Sequence, residues 1–366
     1  MRSGKKSKAK ILFVCPHPEN TAPGQRLKYE QYFTYFRANG VDLTIAPFMT
    51  FPFWKIVYKK GFLVQKVYWT MYGYLKRILL LFSLKKYDCV YVFLWVTPFG
   101  STLFEWLTIK LSKKLIYDID DLVYLKPASK VNPFLKLIKS GRKPIILMKH
   151  AHHVITCTPH LDAFVKKYTP NTTDISSTIN TDTYQPANDY SNERKLTLGW
   201  SGSFSTSKYL KLLQNVLLKL KSNYDFDLLV IGDASFSIKG LSVEAIPWSA
   251  ETEVKTLQRI DIGLYPLPNE EWVMGKSGLK ALQYMALGIP TVATKIGANH
   301  RVIKDGESGF LVESDEEWLA KISLLLNNAD LRKKIGEKAR KRVDEHYSIN
   351  ANKNTYLQII NQTINN

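Results

Sequence analysis

The sequence predicts two parallel α/β domains in tandem, and three observations lead there. The chain has 366 residues, enough for two cores of ordinary size. Short apolar runs alternate with amphipathic stretches along almost all of it. A polar interval at residues 175–195, rich in Asn, Asp and Ser, interrupts that alternation. Strands alternating with helices build a parallel sheet covered on both faces.

The first series begins with KILFVCP, a buried-strand signal ended by Pro16. GQRLKYEQYFTYFRANG follows as a helix, with Leu27, Tyr32, Phe33 and Phe36 near one face and Gly40 at its end. VDLTIAP is the second strand. DCVYVFLW and KLIYDI are further strands, with the helix TPFGSTLFEWLTIKLSKK between them, and VITCT follows a basic helix. The second series runs KLTLGWSG, a helix at 206–221, DFDLLVIGD, a helix at 251–259, DIGLYPL, a helix at 277–287, PTVAT, GFLVE and helices at 315–326 and 328–345. The expected division is 1–183, 184–345 and a tail, 346–366, whose helix crosses back to the first domain. Two such domains are expected to face each other across a cleft lined by strand carboxyl ends, where open α/β sheets bind ligands.

Hydrophobic residues make up 45% of the chain, which suits a globular protein. Cys15, Cys89 and Cys157 are far apart and odd in number, against a disulfide framework or a cysteine metal site. A reducing, cytoplasmic compartment is expected. The apolar run after the basic start, ILFVC, is shorter than a signal-peptide core and reads as a strand. His150, His152 and His153 lack a nearby carboxylate or cysteine and read as strand-flanking residues. No metal is assigned.

The net charge is +19. Residues 1–183 hold 28 Lys/Arg against 11 Asp/Glu, whereas residues 184–366 hold 23 against 21. So lopsided a field implies an anionic partner. Between Asp42 and Asp88 there is no acid, and eight Lys/Arg alternate with aromatic residues including Trp54, Tyr58, Phe62, Trp69 and Phe82. From Phe51 to Lys86 the longest uncharged run, Val67–Leu75, is too short to span a bilayer, which takes about 20 apolar residues. This composition suits an interfacial helix on anionic lipid. A second acid-free run, Leu122–Leu161, adds Lys126, Lys130, Lys136, Lys139, Arg142, Lys143 and Lys149. Nucleic acid is the weaker partner, because no helix-turn-helix, zinc or RNA-recognition signature accompanies the charge. The expected location is the inner face of the cell membrane, peripherally bound.

The richest block is DIGLYPLPNEEWVMGKSGLKALQYMALGIPTVATKIG, residues 261–297. Gly275-Lys276-Ser277-Gly278 opens an apolar helix; glycines admit a ligand to the backbone, and a helix N-terminus favours anions. Lys276 and Lys280, four apart, share one side of the first turn. A diphosphate suits such a pocket. No G-x-G-x-x-G follows the first strand, and no Walker A pattern is present.

This block resembles the donor-site signature of the family-4, group 1 retaining glycosyltransferases, which have the GT-B architecture of two Rossmann-like domains. QYMALGIPTVAT matches its end closely. Gly275 and Gln283 stand where the family has two glutamates. The second family glutamate grips the ribose, and Gln283 can still hydrogen-bond hydroxyls. The G-K-x-G-x-K variant implies Lys276, Ser277, Gly278, Leu279 and Lys280 as donor contacts, with Glu270 or Glu271 taking over sugar recognition. LGWSGSFSTSKYLKLL resembles the family's phosphate-holding stretch: Gly202 and Lys208 fit, and Ser203 stands where arginine is common. Ser205, Thr206 and Ser207 could cap the next helix. CPHPENTAPGQRLKYEQY resembles the first glycine-containing loop, which implies Gly24 and Arg26 at the donor diphosphate and His17 on the acceptor side.

The cluster Asp118, Asp120 and Asp121 follows a strand. It can be read as an acceptor site, a hydrolase carboxylate pair, a general base, a Mg²⁺ site or a helix cap. The resemblance places acceptor binding first and implies no cofactor beyond the nucleoside diphosphate sugar. Arg26, Lys208 and Lys276 would stabilise the leaving diphosphate. The acceptor would be a saccharide or lipid-linked. A nucleotide-sugar epimerase of the same fold and a non-catalytic nucleotide-sugar-binding partner remain as alternatives.

Overall fold

The computed structural model describes residues 8–125, 141–187, 190 and 193–366. The chain divides into two compact units: Met1–Ser176 with Asn352–Asn366, and Ser177–Ala351. The tail therefore groups with the first unit, and the division falls seven residues before the expected one.

The first unit is a six-stranded parallel sheet. Its strands are β1 (Ala9–Cys15), β2 (Val41–Pro47), β3 (Cys89–Phe93), β4 (Leu115–Asp118), β5 (His153–Thr156) and β6 (Thr172–Asp174), in the order β2-β1-β3-β4-β5-β6. Ile11 through Cys15 are all buried. A strand covered on both faces has no polar side, hence the unbroken apolar run. The helices are α1 (Pro23–Arg26), α2 (Phe33–Ala38), α3 (Phe51–Val57), α4 (Leu63–Leu81), α5 (Leu103–Leu111), α6 (Arg142–His150) and α7 (Pro159–Val165).

The second unit repeats the architecture with β7 (Leu196–Ser201), β8 (Phe226–Ile231), β9 (Val243–Ile246), β10 (Ile262–Tyr265), β11 (Thr291–Thr294) and β12 (Phe310–Val312). Its order is β12-β11-β10-β7-β8-β9, again parallel. Around it lie α8 (Gln214–Asn223), α9 (Glu253–Leu257), α10 (Leu279–Ala286), α11 (Asn299–Val302), α12 (Asp315–Asn327) and α13 (Ala329–His346). The last helix, α14 (Ile349–Asn365), belongs to the first unit from Asn352 onward. There Tyr356 packs on Tyr32 at 4.6 Å and Asn354 accepts from the Tyr35 hydroxyl at 2.6 Å. In each sheet the order changes direction once, between β1 and β3 and between β7 and β10. Such switch points open a crevice at the strands' carboxyl ends.

Three sequence readings change. Residues 23–38 are not one helix but α1, a 3-10 turn (Glu30–Tyr32) and α2. Leu27, Lys28, Tyr29 and Glu30 are consecutive and all buried, which one straight amphipathic helix cannot achieve. The polar interval after residue 175 is not an exposed linker. Ile179 and Tyr184 are core residues, and Arg340 donates to the carbonyls of Thr181 and Tyr184. The expected helix at 206–221 begins as a 3-10 turn, Ser207–Leu213, without a side-chain cap. Ser207 instead donates to Asp233 at 2.6 Å, and Thr206 to the Ser203 carbonyl at 3.0 Å.

The charge excess also divides. Lys28 is buried; its ammonium lies 3.0 Å from Asp118 and donates to the carbonyls of Thr156 and Ile175. Arg77 is buried and donates to the carbonyls of Cys15, Ala46 and Val96. Lys143 donates to Thr97 and Phe99. These cations hold strand ends and are not available to a partner. Lys126, Lys130, Lys136 and Lys139 lie outside the described residues.

Removing Lys28 alone would leave Asp118 buried beside no cation. Lys28→Met is expected to cost about 3–5 kcal/mol. Adding Asp118→Asn should recover part of the loss, as read by urea unfolding of the two variants.

Candidate functional site

In the second unit the predicted donor residues gather at the β7/β10 switch point. β7 ends at Ser201, whose amide donates to the Tyr284 hydroxyl of α10 at 2.7 Å. This bond ties the strand end to the helix that carries the lysines. Next comes Gly202. A Cβ there would lie 2.5 Å from the Trp200 ring and 2.7 Å from Lys280 Nζ, so the position requires glycine. Gly232, after β8, has φ +105°, and a Cβ on it would meet the Gly202 carbonyl oxygen at 2.0 Å. Two strand ends thus approach closely because neither carries a side chain.

Lys280, half-buried in the first turn of α10, places its ammonium 4.5 Å from the Trp200 ring centre and 5.6 Å from that of Tyr265. No carboxylate pairs with it among the described residues. Burial, and secondarily Lys276, bring its pKa down to about 7. Such a cation gains from any anion that arrives. Lys276 packs over Trp272 at 5.6 Å and Lys208 over Tyr209 at 5.1 Å; Tyr209 and Trp272 stack at 5.4 Å. The structure therefore brings Gly202, Lys208, Lys276 and Lys280 into one neighbourhood, joined by aromatic rings.

Other predicted donor residues are placed differently. Gly278 is left-handed at φ +78°, the N-terminal turn of α10, and a Cβ there would crowd Val302 at 3.0 Å. Its glycine is explained by the turn. Leu279 is the first residue of α10 and packs against the core. The Ser277 hydroxyl is 2.7 Å from that of Ser177 and is buried, so it faces inward. Gln283 is buried too: its amide donates to the Tyr184 hydroxyl at 3.1 Å and to Glu253 at 3.2 Å. Glu253 also accepts from Tyr184 and Trp248. A carboxylate missing at Gln283 is thus present beside it, from a different element. Ser203 is exposed and bonds to Ser205 at 2.8 Å. Glu270 accepts from the Trp272 indole, and Glu271 is exposed.

In the first unit, His17 follows β1. Its carbonyl and amide are both bonded to the Gln25 side chain, and its ring lies 4.8 Å from Trp54. Burial brings its pKa down to about 4, so the ring is neutral at ordinary pH. Its Nδ1 has no hydrogen-bond partner among the described residues. Gly24, in α1, faces Asp120: a Cβ there would lie 3.3 Å from its carboxylate. Arg26 ends α1, and its charge helps hold down the Glu30 carboxyl, which burial raises. Asp121 is left-handed, at φ +60°.

Asp118 corrects the acceptor reading. It is fully buried, paired with Lys28 and hydrogen-bonded by the Tyr91 hydroxyl. Burial raises its carboxyl, offset in part by Lys28 and Tyr91. It organises strand ends, and Asp120 and Asp121 are the partly exposed members of the cluster. Of the three histidines, His152 accepts from the Leu115 amide at 3.2 Å, His153 pairs with Thr173 at 2.9 Å and His150 lies beside Trp106.

The reading from sequence missed Trp200, Tyr209, Tyr265, Trp272 and Glu253. Trp272 and Lys276, four apart, and the adjacent Lys208 and Tyr209 carried a spacing signal; the others carried none, because their partners are distant in sequence.

Lys280 supplies a pH test. Its folded pKa lies below the ordinary lysine value, so the unfolded chain binds more protons between the two. Stability should rise with pH from about 7 to about 10.5. Lys280→Met removes that dependence. Its advantage in Tm over the parent chain is expected to be largest at or below pH 7 and to shrink toward pH 10.

Residues 185–342 match the family model for glycosyl transferases group 1. Trehalose synthase of Pyrococcus horikoshii is 34% identical over 84 residues, 23% of this chain and 20% of that protein. The capsular polysaccharide biosynthesis glycosyltransferase CapM of Staphylococcus aureus is 26% identical over 165 residues, 41% of this chain and 42% of that protein. These matches span less than half of either relative. Sucrose-phosphate synthase of Thermosynechococcus elongatus shares the fold, with a TM-score of 0.72 at 16% identity over 97% of this chain and 99% of that one. The match over residues 185–342 makes the second unit similar to the group 1 glycosyl transferases, and the two parallel sheets give the chain the fold of the solved structure.

Proposed function

We propose that this protein transfers a sugar from a nucleoside diphosphate sugar to a saccharide or lipid-linked acceptor, with the anomeric configuration retained. The observation that carries the reading is Lys280: an ammonium without an acidic partner at the β7/β10 switch point, against Gly202 and near Lys276. A departing diphosphate gains negative charge as the glycosidic bond breaks. Cations already positioned there lower that barrier without reorganising. Lys276, Lys280 and Lys208 take that role, and Gly202 admits the phosphate to the backbone. No resident metal or other cofactor is proposed, because the lysines supply the charge.

Gln283 and Glu253 together take the place of the family's ribose-gripping glutamate, with Glu270 or Glu271 available to the sugar. Acceptor binding is assigned to His17, Asp120 and Asp121 of the first unit, whose neutral histidine suits hydroxyl groups. The setting proposed is cell-surface polysaccharide or glycoconjugate synthesis, at the cytoplasmic face of an anionic membrane.

The test is transfer of radiolabelled sugar from UDP-, GDP- and dTDP-sugars to membrane extract. One donor should support transfer and raise the Tm. Lys276→Ala and Lys280→Met should each lower kcat/KM by about 100- to 1,000-fold with the fold intact. Interconversion of donor without acceptor would instead indicate an epimerase. A flat thermal response to every donor would refute nucleotide-sugar binding.

A further inference from the structure

The unexplained surface of this molecule is the outer face of α4. Among the described residues, nineteen large apolar side chains are well exposed, and thirteen of them lie between Phe51 and Phe82. That concentration is far from the scattered exposure normal for a folded protein.

The inner face of α4 is fully engaged. Gly73 lies against the Phe48 ring, where a Cβ would come within 2.6 Å. Arg77 reaches three strand-end carbonyls, Lys76 donates to the Pro47 carbonyl at 2.7 Å, and Tyr74 donates to that of Phe99 at 2.8 Å. All three basic residues of the helix, Lys66, Lys76 and Arg77, are at least partly buried. The helix cannot rotate to hide its other side without breaking these bonds.

The outer face consists of Val64, Val67, Tyr68, Met71, Tyr72, Leu75, Ile78 and Leu79, continued by Phe82, every one exposed. At 100° per residue these positions fill an arc of about 140°, with no charge inside it. The nineteen residues of α4 extend about 28 Å. Exposed lysines bracket the face: Lys55, Lys59 and Lys60 before it, Lys85 and Lys86 after it. No acid occurs between Asp42 and Asp88. No described helix is long and apolar enough to cross a membrane.

We propose that α4 lies flat in the headgroup region of an anionic phospholipid bilayer. Its uncharged arc enters the acyl boundary, and the bracketing lysines meet lipid phosphates. The apolar arc asks for a hydrocarbon partner, and the lysines without neighbouring acids ask for a negative one. An anionic bilayer is both. This makes specific the membrane-facing reading of the first unit, and it is read without substrate. Loss of transfer activity would leave it standing, and its own failure would leave the transfer reaction standing.

The experiment is co-sedimentation of the full chain with vesicles of neutral phosphatidylcholine and with vesicles containing phosphatidylglycerol. Binding is expected to the anionic vesicles and to weaken as salt rises. The pair Met71→Glu and Leu75→Glu should lower the partition coefficient by on the order of 10-fold or more, and Leu324→Glu, exposed on α12, should leave it unchanged. A second readout guards against misfolding. The native cysteines are all buried, so Met71→Cys can carry a polarity-sensitive fluorophore. Its emission should shift to the blue on anionic vesicles, whereas a label at Leu324→Cys should not shift. Absence of binding at low salt, equal binding to neutral vesicles, or binding indifferent to the glutamates with no shift at position 71 would each overturn the proposal. So would a dimer in solution that the glutamates dissociate, since a second copy would then cover the face.

Discussion

Parallel strands end with their carbonyl groups on one side of the sheet, and every such group buried there needs a donor. In the first unit that need is met by Arg77. Its guanidinium, 2% exposed, reaches Cys15 at the end of β1, Ala46 near the end of β2 and Val96 just after β3. It straddles the point where the strand order changes direction. Among the described residues no acidic side chain neutralises it at salt-bridge distance; the carbonyl dipoles do. Burial brings its pKa down to about 10, which still leaves it charged.

The same device recurs. Lys28 serves Thr156 and Ile175, and Lys143 serves Thr97 and Phe99. In the second unit Arg332 reaches Leu325, Leu326 and Tyr190, and Arg340 reaches Thr181, Tyr184 and Ala286. Part of the basic composition is therefore architectural. Other cations stay at least partly exposed, among them the lysines around α4, and Lys208, Lys276 and Lys280 at the second sheet. Anchoring α4 through Arg77 also decides its orientation. Once the inner face holds strand ends, the apolar outer face must point away.

The two chemically distinct surfaces rest on opposite treatments of charge. At the β7/β10 switch point a half-buried lysine lies against aromatic rings with no counter-ion among the described residues. Along α4 charge is excluded from the exposed arc and placed at its two ends. The Lys28–Asp118 pair shows the third case, where cation and anion satisfy each other in the core and neither is left for a ligand.

Sequence alone determined the fold class, the two series of strands and the donor-type block, because these are written in local periodicity and in contiguous residues. Gly202 and the Lys276/Lys280 pair were legible as neighbours for that reason, and so was the acid-free, aromatic-rich stretch that carries α4. Tertiary structure decided which polar residues face inward. Asp118 looked like a ligand contact, yet it is buried and bonded to Lys28 and Tyr91, distant in sequence; Gln283 shares its place with Tyr184 and Glu253 from other elements. Glu253 could not be found from spacing, since its approach to Gln283 depends on how α9 and α10 pack. The polar interval after residue 175 hid a core segment for a related reason: composition reports polarity, and only three-dimensional packing reports whether each polar atom has found its partner.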